Sequence, residues 1–226
     1  MRVLRFTSAA EAAEAAAQHV ASCAAQAMAE RGQFTLALSG GSTPWPMLAR
    51  LSEMDLDWST MHLFQVDERR APEGDGARNL THTRSHFTDR VGMAESRIHA
   101  MPVMVENFAA GAQEYAATLR QVCGEPAVLD LVHLGMGGDG HTASLLPGDG
   151  LLDEARADVG ITGVYQGYRR MSLTFPAINR SRRIIWLVNG SDKSTMLQRM
   201  ISADRSIPAG RIEQARATVF TDIAEL

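Results

Sequence analysis

The sequence predicts an α/β fold: a mostly parallel sheet covered by helices on both faces, built as a single domain across residues 1–226. Four observations point there. Short apolar runs alternate with segments of helical length, the pattern of strands joined by crossover helices. The chain has 226 residues, 45% hydrophobic and 21% charged, enough apolar content to bury a core. No internal repeat, low-complexity tract or linker divides it, although at roughly 100–200 residues per domain the length alone allows two small units. Three glycine-rich or charged turns, at 39–44, 67–69 and 135–141, fall at predicted strand ends, where open parallel sheets bind ligands.

Val3–Phe6 reads as the first strand. Ser8 then offers an N-cap with Glu11 three residues on, a capping box. The alanine-rich run to about Glu30 is a helix by propensity, closed by Gly32. Phe34–Leu38 is a strand that stops at Ser39-Gly40-Gly41-Ser42-Thr43-Pro44, and a helix follows to about Met54. Met61–Val66 is an apolar strand ending at Asp67-Glu68-Arg69, and the Pro/Gly/Asp-rich stretch 71–78 is a loop. Asn79–Arg90 is helical, Arg97–Met101 a short strand, and Val105–Val122 a helix with Phe108, Ala112, Tyr115 and Leu119 on one face. Leu129–Leu134 is an apolar strand that contains His133 and runs into the turn Gly135–His141. Further strands are expected near Ile161–Tyr165, Met171–Thr174, Ile184–Val188 and Thr218–Phe220, with a helix from about Asp192 to Ile201.

Composition excludes several classes of function. The net charge is −4 and the pI about 6.0, so no global basic field exists to hold nucleic acid. Two cysteines, Cys23 and Cys123, form neither a disulfide framework nor a CxxC pair, which suits a reducing cytoplasm. Glu11, Glu14 and His19 interrupt the alanine-rich segment, so it is no signal-peptide core, and no stretch of 18 apolar residues predicts a membrane span. A cytoplasmic protein is expected; the sequence leaves its oligomeric state open. Of the 22 basic residues every one but Lys193 is Arg. Codon bias explains the arginines. The lone lysine leaves two readings open: chance survival of that bias, or a position where a compact point charge is not replaceable by a planar fork.

The turn at 39–44 carries two glycines and three hydroxyls ahead of a helix. Glycines let backbone N–H groups approach an anion there, although the segment is neither a Walker loop nor GxGxxG. The second turn places Asp139 two residues before His141, and a histidine at a strand end is positioned for proton transfer near neutral pH. Ser144 lacks a G-x-S-x-G elbow, so a serine hydrolase is rejected. His82 and His86 have the i, i+4 spacing of a metal pair. Thr83-Arg84-Ser85 between them supplies no Glu and adds a repelling cation, so no metal is expected. His133 is read as a hydrogen-bonded core histidine. The Arg pairs 69–70, 169–170 and 182–183 read as solvated edges, the first two set apart by lying at strand ends.

Leu38-Ser-Gly-Gly-Ser-Thr-Pro44, Val66-Asp-Glu-Arg69, Leu134-Gly-Met-Gly-Gly-Asp-Gly-His-Thr-Ala-Ser-Leu-Leu-Pro-Gly148, Arg170-Met-Ser-Leu-Thr174 and Leu187-Val-Asn-Gly-Ser-Asp-Lys193 together resemble the 6-phosphogluconolactonase family, in its order and over nearly the whole chain. The Gly-x-Asp-Gly-His-Thr-Ala-Ser block is specific. The Ser-Gly-Gly-Ser block is shared with related sugar-phosphate isomerases and deaminases. Departures are Gly138 where the family usually has Pro, Leu146 for Phe, Arg78 for Ser, and no Trp before the last strand; of these, Arg78 is expected to alter the rim of the site.

The resemblance implies a Rossmann-like fold and hydrolysis of 6-phospho-D-glucono-1,5-lactone, a step of the oxidative pentose phosphate pathway, without metal or organic cofactor. On that reading His141 is general base and then acid, and Asp67 or Asp139 orients its ring or the water. Arg69 supplies charge to the substrate or the oxyanion. Gly40, Gly41, Ser42, Thr43 and Gly140 border the substrate, with Arg170 and Lys193 as the cations for its phosphate. Two other readings remain. An amino-sugar-phosphate isomerase or deaminase usually follows the histidine with Asn-Glu-Pro, but this chain has Ser144-Leu145-Leu146-Pro147. A non-catalytic sugar-phosphate sensor would keep the phosphate loop and lose the histidine.

Overall fold

The structure, a computed structural model, describes residues 1–224. Seven parallel strands form the main sheet: β1 (Arg2–Arg5), β2 (Phe34–Leu38), β3 (Met61–Gln65), β5 (Ile98–His99), β6 (Leu131–Leu134), β9 (Arg183–Leu187) and β10 (Ala217–Thr221). Their order is β1-β10-β9-β6-β2-β3-β5. From β2 the chain steps outward through β3 to β5. It then crosses back to place β6 on the other side of β2. That reversal opens a crevice beyond the carboxyl ends of β2 and β6, the place where such sheets bind ligands.

A second, antiparallel sheet, β4 (Asp67–Arg69), β8 (Arg170–Leu173) and β7 (Val159–Ile161), was not anticipated. Asp67-Glu68-Arg69 reads in sequence as the tail of β3. In the fold the Val66 carbonyl accepts a hydrogen bond from the Leu173 N–H at 2.7 Å, and the chain turns there to pair with β8. The expected strand at 161–165 is β7, displaced toward the N-terminus, because 162–168 is the hairpin that returns the chain to β8.

Among the described residues six α-helices flank the sheets: α1 (Ala9–Arg31), α2 (Trp45–Leu51), α3 (Asn79–Thr83), α4 (Phe108–Cys123), α5 (Phe175–Arg180) and α6 (Ser194–Ile201). Period-two alternation along the strands makes two cores. On one face Leu36, Leu63, Ile185 and Leu187 pack under the alanine face of α1, whose small side chains let helix and sheet approach closely. On the other Val132, Leu134, Ile184 and Trp186 meet Tyr115 and Leu119 of α4 together with Met171 and Leu173 of β8, so both sheets share one core.

At the start of α1, Ser8 Oγ accepts from the Glu11 N–H as expected, but the Glu11 carboxylate reaches one residue further back, to Thr7 N and Oγ1. Gly32 closes the helix at φ 72°. The helix expected over 79–90 loosens after Thr83 into a wider π-type turn, Arg84–Thr88. Among the described residues no helix is long and apolar enough to cross a membrane.

Candidate active site

The carboxyl ends of β2, β3, β6 and β9 converge on a cavity of about 190 Å³. After β2 the chain turns through Ser39, Gly40 and Gly41 into α2. A Cβ at Gly40 would fall 1.9 Å from Asn79 Oδ1, so a larger residue there would force the buried Asn79 side chain aside. Asn79 in turn donates Nδ2 to the Asp67 carbonyl at 2.9 Å, tying the loop to β4. Gly40, Gly41 and Thr43 border the cavity with Asn79; the exposed Ser42 does not.

After β6 the turn folds back on itself. Gly137 N–H bonds the His141 carbonyl at 2.9 Å, Gly140 N–H bonds the Gly137 carbonyl at 3.1 Å, and Thr142 Oγ1 bonds the Gly135 carbonyl at 2.9 Å. This closure presents His141 to the cavity with Nδ1 2.6 Å from Asp139 Oδ1. The same carboxylate oxygen accepts the His141 backbone N–H at 3.1 Å. Partial burial pushes the Asp139 carboxyl up, but the backbone N–H, the charge and the ring of His141 outweigh it and hold it below the usual carboxylate range. Of the two acids the sequence left open, Asp139 is the one hydrogen-bonded to His141. With Nδ1–H donated to a carboxylate, Nε2 of the neutral ring is the nitrogen left to accept a proton.

Asp67 has another partner: its Oδ2 accepts Ser144 Oγ at 2.6 Å. Among the described residues it is the one carboxylate that lines the cavity. Burial pushes its carboxyl up, against the Ser144 hydrogen bond and the charges of Arg69 and Arg170. The β4–β8 ladder sets Arg69 opposite Arg170. Arg170 is 3% exposed, and burial, with Arg69 beside it, pushes its guanidinium down. Lys193, at the end of the turn Ser191–Lys193 that leads into α6, completes a set of three cations on the cavity wall. Nothing in this wall requires glycine at 138: a Cβ there would sit 3.6 Å from Lys193 Nζ, an ordinary contact.

Three sequence expectations fall elsewhere. Gly140 lies beneath the loop, at φ 80° and packed on Ile207, where it shapes the turn rather than the cavity surface. Arg78 is not on the rim but 6% exposed, with Nε 3.1 Å from Oε2 of Glu68. Glu68, fully buried, also accepts from Arg69 N, Asn79 N and Leu80 N, so the cation compensates a charge that braces β4 against α3. His133 is fully buried, yet among the described residues neither ring nitrogen has a hydrogen-bond partner.

His82 and His86 both stack on Trp45, with centroids 4.8 and 4.9 Å away. Among the described residues no group of three or more metal-ligating side chains is assembled. The sequence reading missed Asn79 and Asn189, and also Tyr165, whose ring lies beside His141. Asn79 and Asn189 follow predicted boundaries, a signal too common to single them out.

A cationic cavity at the switch point of a parallel sheet, with a carboxylate-paired histidine on its wall, defines an α/β protein built to act on a small anion. Residues 7–221 match the family of glucosamine-6-phosphate isomerases/6-phosphogluconolactonase. A 6-phosphogluconolactonase of Synechocystis sp. is 38% identical over 183 residues, 76% of this chain and 73% of that protein. Another, of Mycobacterium tuberculosis, is 35% identical over 208 residues, 86% and 84% of the two chains. A crystal structure of a 6-phosphogluconolactonase from Shewanella baltica superposes with a TM-score of 0.88 at 28% identity, over 98% of this chain and 97% of that one. The chain belongs to the glucosamine-6-phosphate isomerase/6-phosphogluconolactonase family.

Proposed function

We propose that this protein hydrolyses 6-phospho-D-glucono-1,5-lactone to 6-phosphogluconate, the lactonase step of the oxidative pentose phosphate pathway, in the cytoplasm. The observation that carries the reading is His141, held by Asp139 at Nδ1 and facing a cavity whose wall bears Arg69, Arg170 and Lys193. Nε2 of His141 takes a proton from water as its oxygen attacks C1 of the lactone. The tetrahedral oxyanion forms beside Arg69. When the C1–O5 bond breaks, the proton on His141 passes to O5, leaving a carboxylic acid that ionises and a free hydroxyl. Lys193 and Arg170, with N–H groups of the Gly41–Thr43 turn, hold the phosphate. Asp67, buried and bonded to Ser144, orients the water or a sugar hydroxyl.

The isomerase or deaminase alternative requires a carboxylate soon after the histidine. Here Ser144, Leu145 and Leu146 fill that segment and are buried, which favours the lactonase. The deciding experiment follows lactone decay with purified protein. The reading requires a rate above spontaneous hydrolysis that scales with enzyme concentration; decay at the spontaneous rate, with phosphosugar binding intact, would leave a sensor.

A further inference from the structure

The hairpin joining β7 to β8 carries side chains that the chemistry above does not use. Its tip, Gln166-Gly167, has φ 51° and 83°, the conformation of a two-residue turn whose twist suits its flanking strands. Tyr165 and Tyr168 close it with reciprocal backbone bonds of 2.9 and 3.2 Å. The closed turn of this arm sets Tyr165 beside two residues of the cavity wall. The Arg170 guanidinium lies 5.0 Å from the Tyr165 ring centroid. The same ring stands edge-on to His141, centroids 5.9 Å apart at 68°. Gln166 Oε1 accepts Arg170 Nη2 at 3.3 Å from the same arm.

Arg170 needs such support. It is almost wholly buried, and the β4–β8 register sets it against the like charge of Arg69. Among the described residues its Nε has no hydrogen-bond partner. The charges of Asp67 and Glu68 offset part of that repulsion, while the Tyr165 ring and Gln166 are the contacts the arm itself supplies. A cation on an aromatic face is worth most where water is excluded.

We propose that Tyr165 is a positioning residue of this site, its ring holding Arg170 by the face and confining His141 by the edge, so that both are aimed at a phosphorylated sugar before it binds. Both contacts are made by the ring, so the hydroxyl is dispensable. The His141 half rests on the lactonase reading; the Arg170 half requires only that the cavity binds a phosphosugar.

The test measures 6-phosphogluconate binding by calorimetry and lactone hydrolysis by steady-state kinetics. The set is wild type, Tyr165→Phe, Tyr165→Ala, Arg170→Ala and the Tyr165→Ala/Arg170→Ala double variant, each checked for an unchanged melt. Tyr165→Ala is expected to weaken binding and raise KM about 10-fold, the size of one desolvated cation–π contact. Tyr165→Phe is expected to recover most of that loss. In the Arg170→Ala background Tyr165→Ala should weaken binding no further, because coupled residues are not additive. Its effect on kcat should persist there, through His141. Additive binding losses, or a Phe variant as impaired as Ala, would overturn the proposal. Wild type that hydrolyses the lactone without the coupling sinks the Tyr165 assignment alone. Coupled binding without any hydrolysis sinks the lactonase reading and leaves the Arg170 half standing.

Discussion

Oδ1 of Asp139 grips His141 twice, at the ring Nδ1 and at the backbone N–H, 2.6 and 3.1 Å away. A single carboxylate oxygen thereby sets both the tautomer of the imidazole and the path of the chain that carries it. The arrangement is local in sequence, two residues apart, but it exists only because the Gly137–His141 backbone bond closes the turn around it.

Removing the base and removing its partner are both expected to lower kcat. His141→Ala should lower kcat about 10²–10⁴-fold with little change in KM, the usual contribution of a general acid–base. Asp139→Asn can donate to Nδ1 and favour the unproductive tautomer, so a loss of up to about 10⁴-fold in kcat, no greater than that of His141→Ala, is expected. Steady-state kinetics on both variants checks the pair, and an unchanged kcat for His141→Ala removes the histidine from the mechanism.

Gly137 tests the geometry rather than the chemistry. A Cβ there would lie 2.2 Å from His141 Cε1 and Nδ1 and 2.7 Å from Asp139 Oδ1, so Gly137→Ala must push the pair apart or out of the cavity. A displacement of about 1 Å is enough to cost about 10²-fold in rate. Since the loop carries little of the apolar core, kcat should collapse while the melting temperature stays near that of wild type. Full activity in this variant would mean the resting position of the ring is not the working one.

Lys193→Arg would install the residue that stands at every other basic position of this sequence. Lys193 lies on the cavity wall, where a wider guanidinium must displace the phosphate or lose contact with it. Charge-assisted hydrogen bonds contribute about 1.5–3 kcal/mol, so kcat/KM for the phosphorylated lactone should fall about 10-fold or more. Lys193→Ala should fall further. A lactone without phosphate should be indifferent to both changes, and equal losses on the two substrates would detach Lys193 from phosphate binding.

His133 predicts how the fold responds to acid. Burial holds its pKa down to about 4, from an ordinary value of 6.5. The unfolded chain therefore binds a proton that the folded chain refuses between those values, and stability falls as pH drops from about 6.5 to about 4. For one such group the slope is about 1.4 kcal/mol per pH unit at most. Denaturant unfolding of His133→Leu should show a shallower loss across this window. The leucine can pack among the same apolar neighbours as Leu131. An identical slope in the two proteins would assign the acid sensitivity to other groups, such as His99, also held to about 4 by burial and by the charges of His62 and Arg97.

Much of this protein was legible in one dimension. Alternating apolar strands and helical segments determined a mostly parallel sheet with two covered faces, because strand and helix periods are local properties of the chain. Glycines in the turns at 39–44 and 135–141 marked the strand ends that border the cavity. Asp139 and His141 stood out in one glycine-rich turn, with Asp67 still an equal candidate partner for the histidine, and the solitary Lys193 stood out by composition. Tertiary structure decided what depended on distant partners. Asp67-Glu68-Arg69 became an antiparallel strand because β8, about a hundred residues later, offers a ladder to it. That pairing sets Arg170 against Arg69, Ser144 takes up Asp67, and Arg78 is drawn inside to meet a buried glutamate that no local pattern reveals. Hydrogen bonds and like-charge contacts between residues far apart in sequence have no periodicity to betray them, and only the folded chain brings them within reach.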